Sequence, residues 1–178
     1  MGRFEKLAVL FHHRWAVPVL AELHRGPGAK YVTLVNRLGV SRDTLSATLD
    51  ALIRQGWAAR NPGYGHPMRP EYVLTAAGAR LAPACARLTA ILRRLGLLEV
   101  ALRKWSLPVV LALRRCGGRF NEVKALLPGI TARALTLSLK ALQDAGLVER
   151  VVEEEYPPRP RYGLTPRGRR LVPVLDRL

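Results

Sequence analysis

The stretch PGITARALTLSLKALQDAGLVER (residues 128–150) decides how this chain folds. Leu135, Leu139 and Leu142 fall at i, i+4 and i+7, so a helix through them carries a single apolar stripe. Thr131 stands where an N-cap is needed, because its hydroxyl can accept from a first-turn amide that the helix leaves unpaired. Gly146 suits the left-handed position that closes a helix. Pro128-Gly129 ends the preceding segment, whose apolar residues Phe120, Val123, Leu126 and Leu127 predict a short amphipathic helix. Further upstream, Trp105, Pro108, Val109, Leu111 and Ala112 suit a helix with proline near its start, stopped at Gly117-Gly118. Downstream, residues 147–152 form a β-type run, Pro157, Pro158 and Pro160 a loop, and Tyr162 to Leu164 a second strand. Thr165 then caps a helix that begins at Pro166, where a missing N–H costs nothing. Helix, turn, helix and hairpin together predict a winged helix-turn-helix unit.

The same pattern occurs twice. Trp15 and Trp105 are 90 apart, and at that offset Pro18, Leu23, Arg25 and Gly39 match Pro108, Leu113, Arg115 and Gly129. Leu45, Leu49, Leu52, Gly56 and Arg60 match Leu135, Leu139, Leu142, Gly146 and Arg150. Pro67, Arg69, Pro70, Tyr72, Leu74, Thr75, Gly78, Leu81 and Pro83 likewise have counterparts from Pro157 to Pro173. A one-residue slip, where Tyr31 matches Phe120 and Pro128 is extra, is the only interruption. Two copies are too few for a solenoid. The expected fold class is therefore mainly α with small β-hairpin wings, as two tandem winged units: residues 1–74, a connecting amphipathic helix over 75–98, and residues 99–178. The connecting segment holds Leu81, Leu88, Ile91, Leu92, Leu95 and Leu98 with arginines between, and a bend is expected near Pro83. With no Gly/Ser linker present, the two units are expected to pack as an intrachain pseudo-dimer, addressing half-sites roughly 10 bp apart.

The formal charge is +16, with 29 Lys and Arg against 13 Asp and Glu. That balance favours a polyanionic partner. The apolar runs are far shorter than the roughly 20 residues a spanning helix needs, and the amino-terminal run is broken by His12, His13 and Arg14, so no membrane partner and a cytoplasmic, nucleoid-associated location are expected. Cys85 and Cys116 are too isolated for a disulfide framework or a zinc site.

In a helix-turn-helix unit the second helix enters the major groove of double-stranded DNA. With the leucine stripe turned inward, the second copy presents Arg133, Thr136, Leu137 and Lys140. Arg133 can bridge guanine acceptors, Leu137 can meet a thymine methyl, and Lys140 suits a phosphate. The first copy presents Asp43, Ser46, Ala47, Asp50 and Arg54, with Arg42 at its start, so two carboxylates would face the phosphates. The second copy is thus expected to be the stronger reader, and the first to serve a weaker half-site or a protein contact. Arg69 and Arg159, held between prolines, and Arg161 are the expected wing contacts in the minor groove. A structural pairing of these arginines with Glu153 to Glu155 is the alternative.

The segment Pro128-Gly129-Ile130-Thr131, the leucine-rich helix, Gly146-Leu147-Val148-Glu149-Arg150, Pro157-Pro158-Arg159, Tyr162-Gly163-Leu164-Thr165 and Gly168 resemble the HxlR-type subgroup of MarR-like winged helix transcriptional regulators. The resemblance extends from Trp105 to the carboxy terminus and, more loosely, from Trp15 to about Leu95. It implies DNA binding, usually by a homodimer of single-domain chains; here a homodimer would form through the connecting and carboxy-terminal helices. The chain departs from the pattern in holding two units and in lacking the cysteine that commonly precedes the first tryptophan.

No nucleotide-cradling glycine motif, metal-spaced histidine pair or nucleophile elbow is present, so neither cofactor nor enzymatic activity is expected. Cys116 is either an inert, partly buried thiol or a redox sensor whose pKa is lowered by Arg114, Arg115 and Arg119. A sequence-specific regulator is the leading reading. A tandem winged-helix adaptor of chromosome maintenance and a replication or repair accessory factor are the alternatives.

Overall fold

The computed structural model describes residues 2–61, 71–153 and 159–178. The chain forms two compact bodies, residues 13–90 and residues 1–12 with 91–178. Its first element, α1 (Arg3–Leu10), therefore belongs with the second sequence repeat, although it precedes the first.

The body of residues 13–90 is built on α2 (Ala16–Leu23), every residue of which is buried. A helix buried on every side, and apolar but for Glu22, sits at the centre of its body. β1 (Ala29–Lys30) leads into α3 (Tyr31–Leu38), which buries Leu34 and Leu38 and ends at Gly39 with φ 61°. In that left-handed geometry a side chain would be strained. The following helix, α4 (Arg42–Arg54), turns Leu45, Thr48, Leu49, Ala51 and Leu52 inward. β2 (Ala58–Asn61) and β3 (Glu71–Leu74) form the hairpin, and the antiparallel sheet has the order β1-β3-β2. The long helix α5 (Ala76–Arg94) continues through Pro83, and its last turn, from Ile91, counts with the second body.

The second body repeats this plan with several changes. α6 (Leu98–Ala101) precedes α7 (Ser106–Arg115), which is buried from Ser106 to Leu113. α8 (Phe120–Leu126) and α9 (Ala132–Asp144) form the helix pair, with Leu135, Leu139 and Leu142 buried. β4 (Val148–Glu153) and β5 (Arg159–Leu164) pair from Val148↔Leu164 to Glu153↔Arg159. The third strand is reduced to one bridge, Arg119↔Arg161, where the first body has the pair Lys30↔Glu71. In place of one long helix stand two short ones, α10 (Pro166–Arg169) and α11 (Val172–Leu175). α1 packs against α7; its Leu7 and Leu10, with Phe11 beyond it, are each no more than 2% exposed. The Arg115 guanidinium lies 5.7 Å from the centre of the Phe4 ring.

One device fixes the hairpin to the helix after it, and it is the same in both bodies. Thr75 donates its hydroxyl proton to the Gly56 carbonyl and accepts from Gly78 N–H at 3.1 Å; Thr165 donates to Gly146 and accepts from Gly168, also at 3.1 Å. The Thr75 and Thr165 amides reach the carbonyls of Trp57 and Leu147 at 3.2 and 3.1 Å. A Cβ on Gly78 would lie 1.8 Å from the Trp57 oxygen, and one on Gly168 2.2 Å from that of Leu147. The recurrence of Thr and Gly at the 90-residue offset is therefore a requirement of backbone packing, independent of any ligand.

Candidate nucleic-acid interface

The leucine stripe sets the rotation of α9, and the rotation decides what solvent sees. Arg133, Thr136, Leu137 and Lys140 are all exposed, Leu137 to 59%. The amino-terminal end of the helix is closed by Thr131, whose hydroxyl accepts from Ala134 N–H at 3.1 Å. Thr136 donates its own hydroxyl proton back to the Ala132 carbonyl at 3.0 Å, so it offers outward an acceptor and a methyl group. The face thus combines two cations, an acceptor and an apolar side chain standing in water. Those are the group types that read guanine edges, phosphates and thymine methyls.

The matching face of α4 is also exposed: Arg42, Asp43, Ser46, Ala47, Asp50 and Arg54 all reach solvent. Ser41 caps it, accepting from Thr44 N–H at 3.3 Å. Its chemistry is different. At the 90-residue offset Asp43 corresponds to Arg133, Asp50 to Lys140, and Ala47 to Leu137, so both charges are reversed and the large apolar side chain is cut back. Ser46 is also engaged: its Oγ lies 2.9 Å from the hydroxyl of Tyr31, which donates to the Arg42 carbonyl at 2.6 Å. The Tyr31 ring is itself 6.5 Å from that of Tyr72. Sequence reading missed Tyr31 as part of this helix's support. The signal was present in the slipped pair Tyr31/Phe120, since phenylalanine has no hydroxyl to make the link in the second body.

The wing residues separate. Arg69 lies outside the described residues. Arg159 lies on β5, but its side chain is outside the described part of the structure. Arg161 lies midway along β5, opposite Val151, and donates its Nε–H to the Gly117 carbonyl, tying β5 to the turn before α8. Val151 and Val152, 54% and 52% exposed on β4, are an apolar wing surface that sequence reading had not singled out.

Of the two readings of Cys116, the lowered pKa that a redox sensor needs is not found. Burial pushes the thiol above its ordinary range and the Glu122 carboxylate pushes the same way, against a hydrogen bond from the Gly118 backbone. Arg115 is turned towards Phe4 and sits 4.0 Å from Asp176. Burial also pushes Cys85 up to about 12. Neither thiol has the lowered pKa of a reactive cysteine. Among the described residues no group of three or more His, Cys, Asp or Glu could hold a metal ion, and no helix is long and apolar enough to cross a membrane.

Comparison with known proteins accords with the duplicated geometry. The HxlR-like helix-turn-helix family matches the chain twice, over residues 10–96 and 100–178. An uncharacterized HTH-type transcriptional regulator of Methanothermobacter thermautotrophicus is 41% identical over 42% of this chain and 57% of its own length. Another, from Synechocystis sp., is 42% identical over 40% of this chain and 53% of the relative. The chain thus spans little more than half the length of these two relatives. A solved MarR-family regulator of Enterococcus faecalis V583 is 33% identical over 51% of this chain and 76% of that one, with a TM-score of 0.42. These relatives are named as transcriptional regulators rather than as adaptors or replication factors. Matched over both of its halves, the chain belongs to the HxlR-like helix-turn-helix family of DNA-binding transcriptional regulators and carries the family's domain twice.

Proposed function

We propose that this protein regulates transcription by binding double-stranded DNA sequence-specifically, with α9 as its principal reading helix. The observation that carries the reading is the outward face of α9, where Arg133, Thr136, Leu137 and Lys140 stand exposed on the second helix of a helix-turn-helix pair. The charge distribution supports the same choice. Residues 13–90 hold ten Lys and Arg against four Asp and Glu, while the rest of the chain holds 19 against nine. Phosphate attraction is long-ranged and sequence-independent, so the more basic body contributes more to affinity, and base contacts from α9 then select the site. The α4 face contributes weakly, since Asp43 and Asp50 repel phosphates. An asymmetric recognition site is the consequence.

Titration of labelled duplexes across a salt series tests this. The expected result is tight binding to a subset of genomic fragments, with log affinity falling linearly in log salt at about 0.9 per phosphate neutralised. Lys140→Ala should lower that slope by about one contact for every sequence, whereas Arg133→Ala should cost about 1–3 kcal/mol on the preferred site alone. Absence of duplex binding at low salt would overturn the proposal.

A further inference from the structure

The charge reversal between the two second helices of the helix-turn-helix pairs has a consequence beyond DNA. Asp43, Ala47 and Asp50 on α4, and Arg133, Leu137 and Lys140 on α9, occupy identical helical spacings of 0, +4 and +7. At 1.5 Å per residue the outer members of each set are about 10.5 Å apart, and seven residues return to nearly the same side of the helix. All six side chains are exposed. Over these three positions the faces match in both charge and volume when laid against each other; Arg54, one turn beyond Asp50, stands outside the matched set. The two carboxylates meet the two cations, and the large, 59% exposed Leu137 meets the small Ala47 between them. The Tyr31 hydroxyl, bonded to Arg42 O and near Ser46 Oγ, braces the helix that carries the acidic residues.

We infer that the α4 face of one molecule receives the α9 face of a second copy of the same chain. Each copy offers one acidic and one basic face, so the contact is heterologous and assembly runs head to tail. Two helix faces bury less surface than the roughly 1,200 Å² of a stable interface, so the association is weak and appears only at high protein concentration. Because exposed charges supply much of it, added salt, which shortens the Debye length to about 10 Å at 0.1 M and further above that, weakens it. The self-association stands on the complementarity of the faces. Its competition with DNA for α9 rests, in addition, on the reading given above under Proposed function.

A charge-swap experiment tests the inference on the full chain by sedimentation velocity at low salt. The wild type is expected to gain mass with concentration. The variant Asp43→Arg/Asp50→Lys, with both faces basic, and the variant Arg133→Asp/Lys140→Asp, with both acidic, should each associate at least tenfold more weakly. An equimolar mixture of the two should recover association, since basic and acidic faces again meet. The milder pair Asp43→Asn/Asp50→Asn, which leaves α4 without a new cation at its amino-terminal end, should weaken association in the same direction. A wild type of constant mass, variants that associate like it, or a mixture no stronger than its components would overturn the inference. Duplex DNA should dissolve the wild-type assembly, and binding of DNA to an undisturbed assembly would overturn the shared use of α9. A chain that passes the charge swap yet binds no duplex would refute only the DNA reading.

Discussion

The two helix-turn-helix units share their inner faces and differ on their outer ones. Inside, α4 and α9 bury the same three leucines at the same offset, and Ser41 and Thr131 cap them in the same way. Outside, Asp43 and Asp50 stand where Arg133 and Lys140 stand, and Ser46 is tied to Tyr31 where Thr136 bonds back into its own helix. What the difference teaches is that a helix can keep the residues that place it while the residues that act from it change sign. Placement depends on burial and caps; action depends on the surface. The two can therefore diverge independently.

If that separation is correct, changes to the shared framework should hurt both bodies alike. The largest expected effect is at the hairpin lock. Gly78→Ala and Gly168→Ala would each force a Cβ within about 2 Å of a backbone oxygen, so each should cost about 3 kcal/mol, the upper part of the range for overpacking. Thermal melts of the two variants check this. A large loss from one and none from the other would break the equivalence of the two frameworks.

A pH effect comes next, and it is larger at Cys85, in the body of residues 13–90, than at Cys116 in the other body, whose thiol burial also raises. The Cys85 thiol has a pKa raised from 9.0 to about 12 by burial. The unfolded chain therefore loses this proton near pH 9 while the folded chain keeps it, so stability is intact below pH 9 and falls as pH rises towards 12. The slope is about 1.4 kcal/mol per pH unit. Denaturant titrations from pH 8 to 11 should show stability flat at first and then approaching that slope above pH 9, and Cys85→Ala should remove most of it while lowering stability at neutral pH. The same alkaline slope in the alanine variant would assign it elsewhere.

The smallest framework effect is at the caps. Ser41→Ala and Thr131→Ala should each cost about 1 kcal/mol, because each leaves one first-turn amide without its acceptor. Ser41 also donates to Thr44 Oγ1 at 2.8 Å, so its loss should be slightly the greater. Equilibrium unfolding of both variants sharpens the comparison.

Much of the framework was legible in the sequence, because its requirements act through neighbouring residues. The leucine spacing, the caps Ser41, Thr131 and Thr165, Pro166 at a helix start and the glycines at the ends of helices each satisfy a local rule. The outward face of α9 followed from the same spacing by rotation. Other features depend on contacts distant in sequence and were not legible. That α1 belongs with α7 is decided by the burial of Leu7, Leu10 and Phe11, and the 90-residue repeat alone assigns those residues to the other unit. Arg161 is basic and in the wing, yet its partner is the Gly117 carbonyl 44 residues away in sequence. Cys116 has arginines beside it in sequence, but the burial and the Glu122 carboxylate around it in space raise its pKa. Charge adjacency along the chain does not fix where a guanidinium points.

The central claim is the functional inequality of α4 and α9, and paired alanine substitution measures it most directly. Binding of one preferred duplex, followed by fluorescence anisotropy at fixed salt, is compared for Arg133→Ala/Lys140→Ala and for Ser46→Ala/Arg54→Ala. The account predicts a loss of at least tenfold, about 1.4 kcal/mol or more, for the α9 pair, and less than about threefold for the α4 pair. Equal losses from the two helices would contradict it.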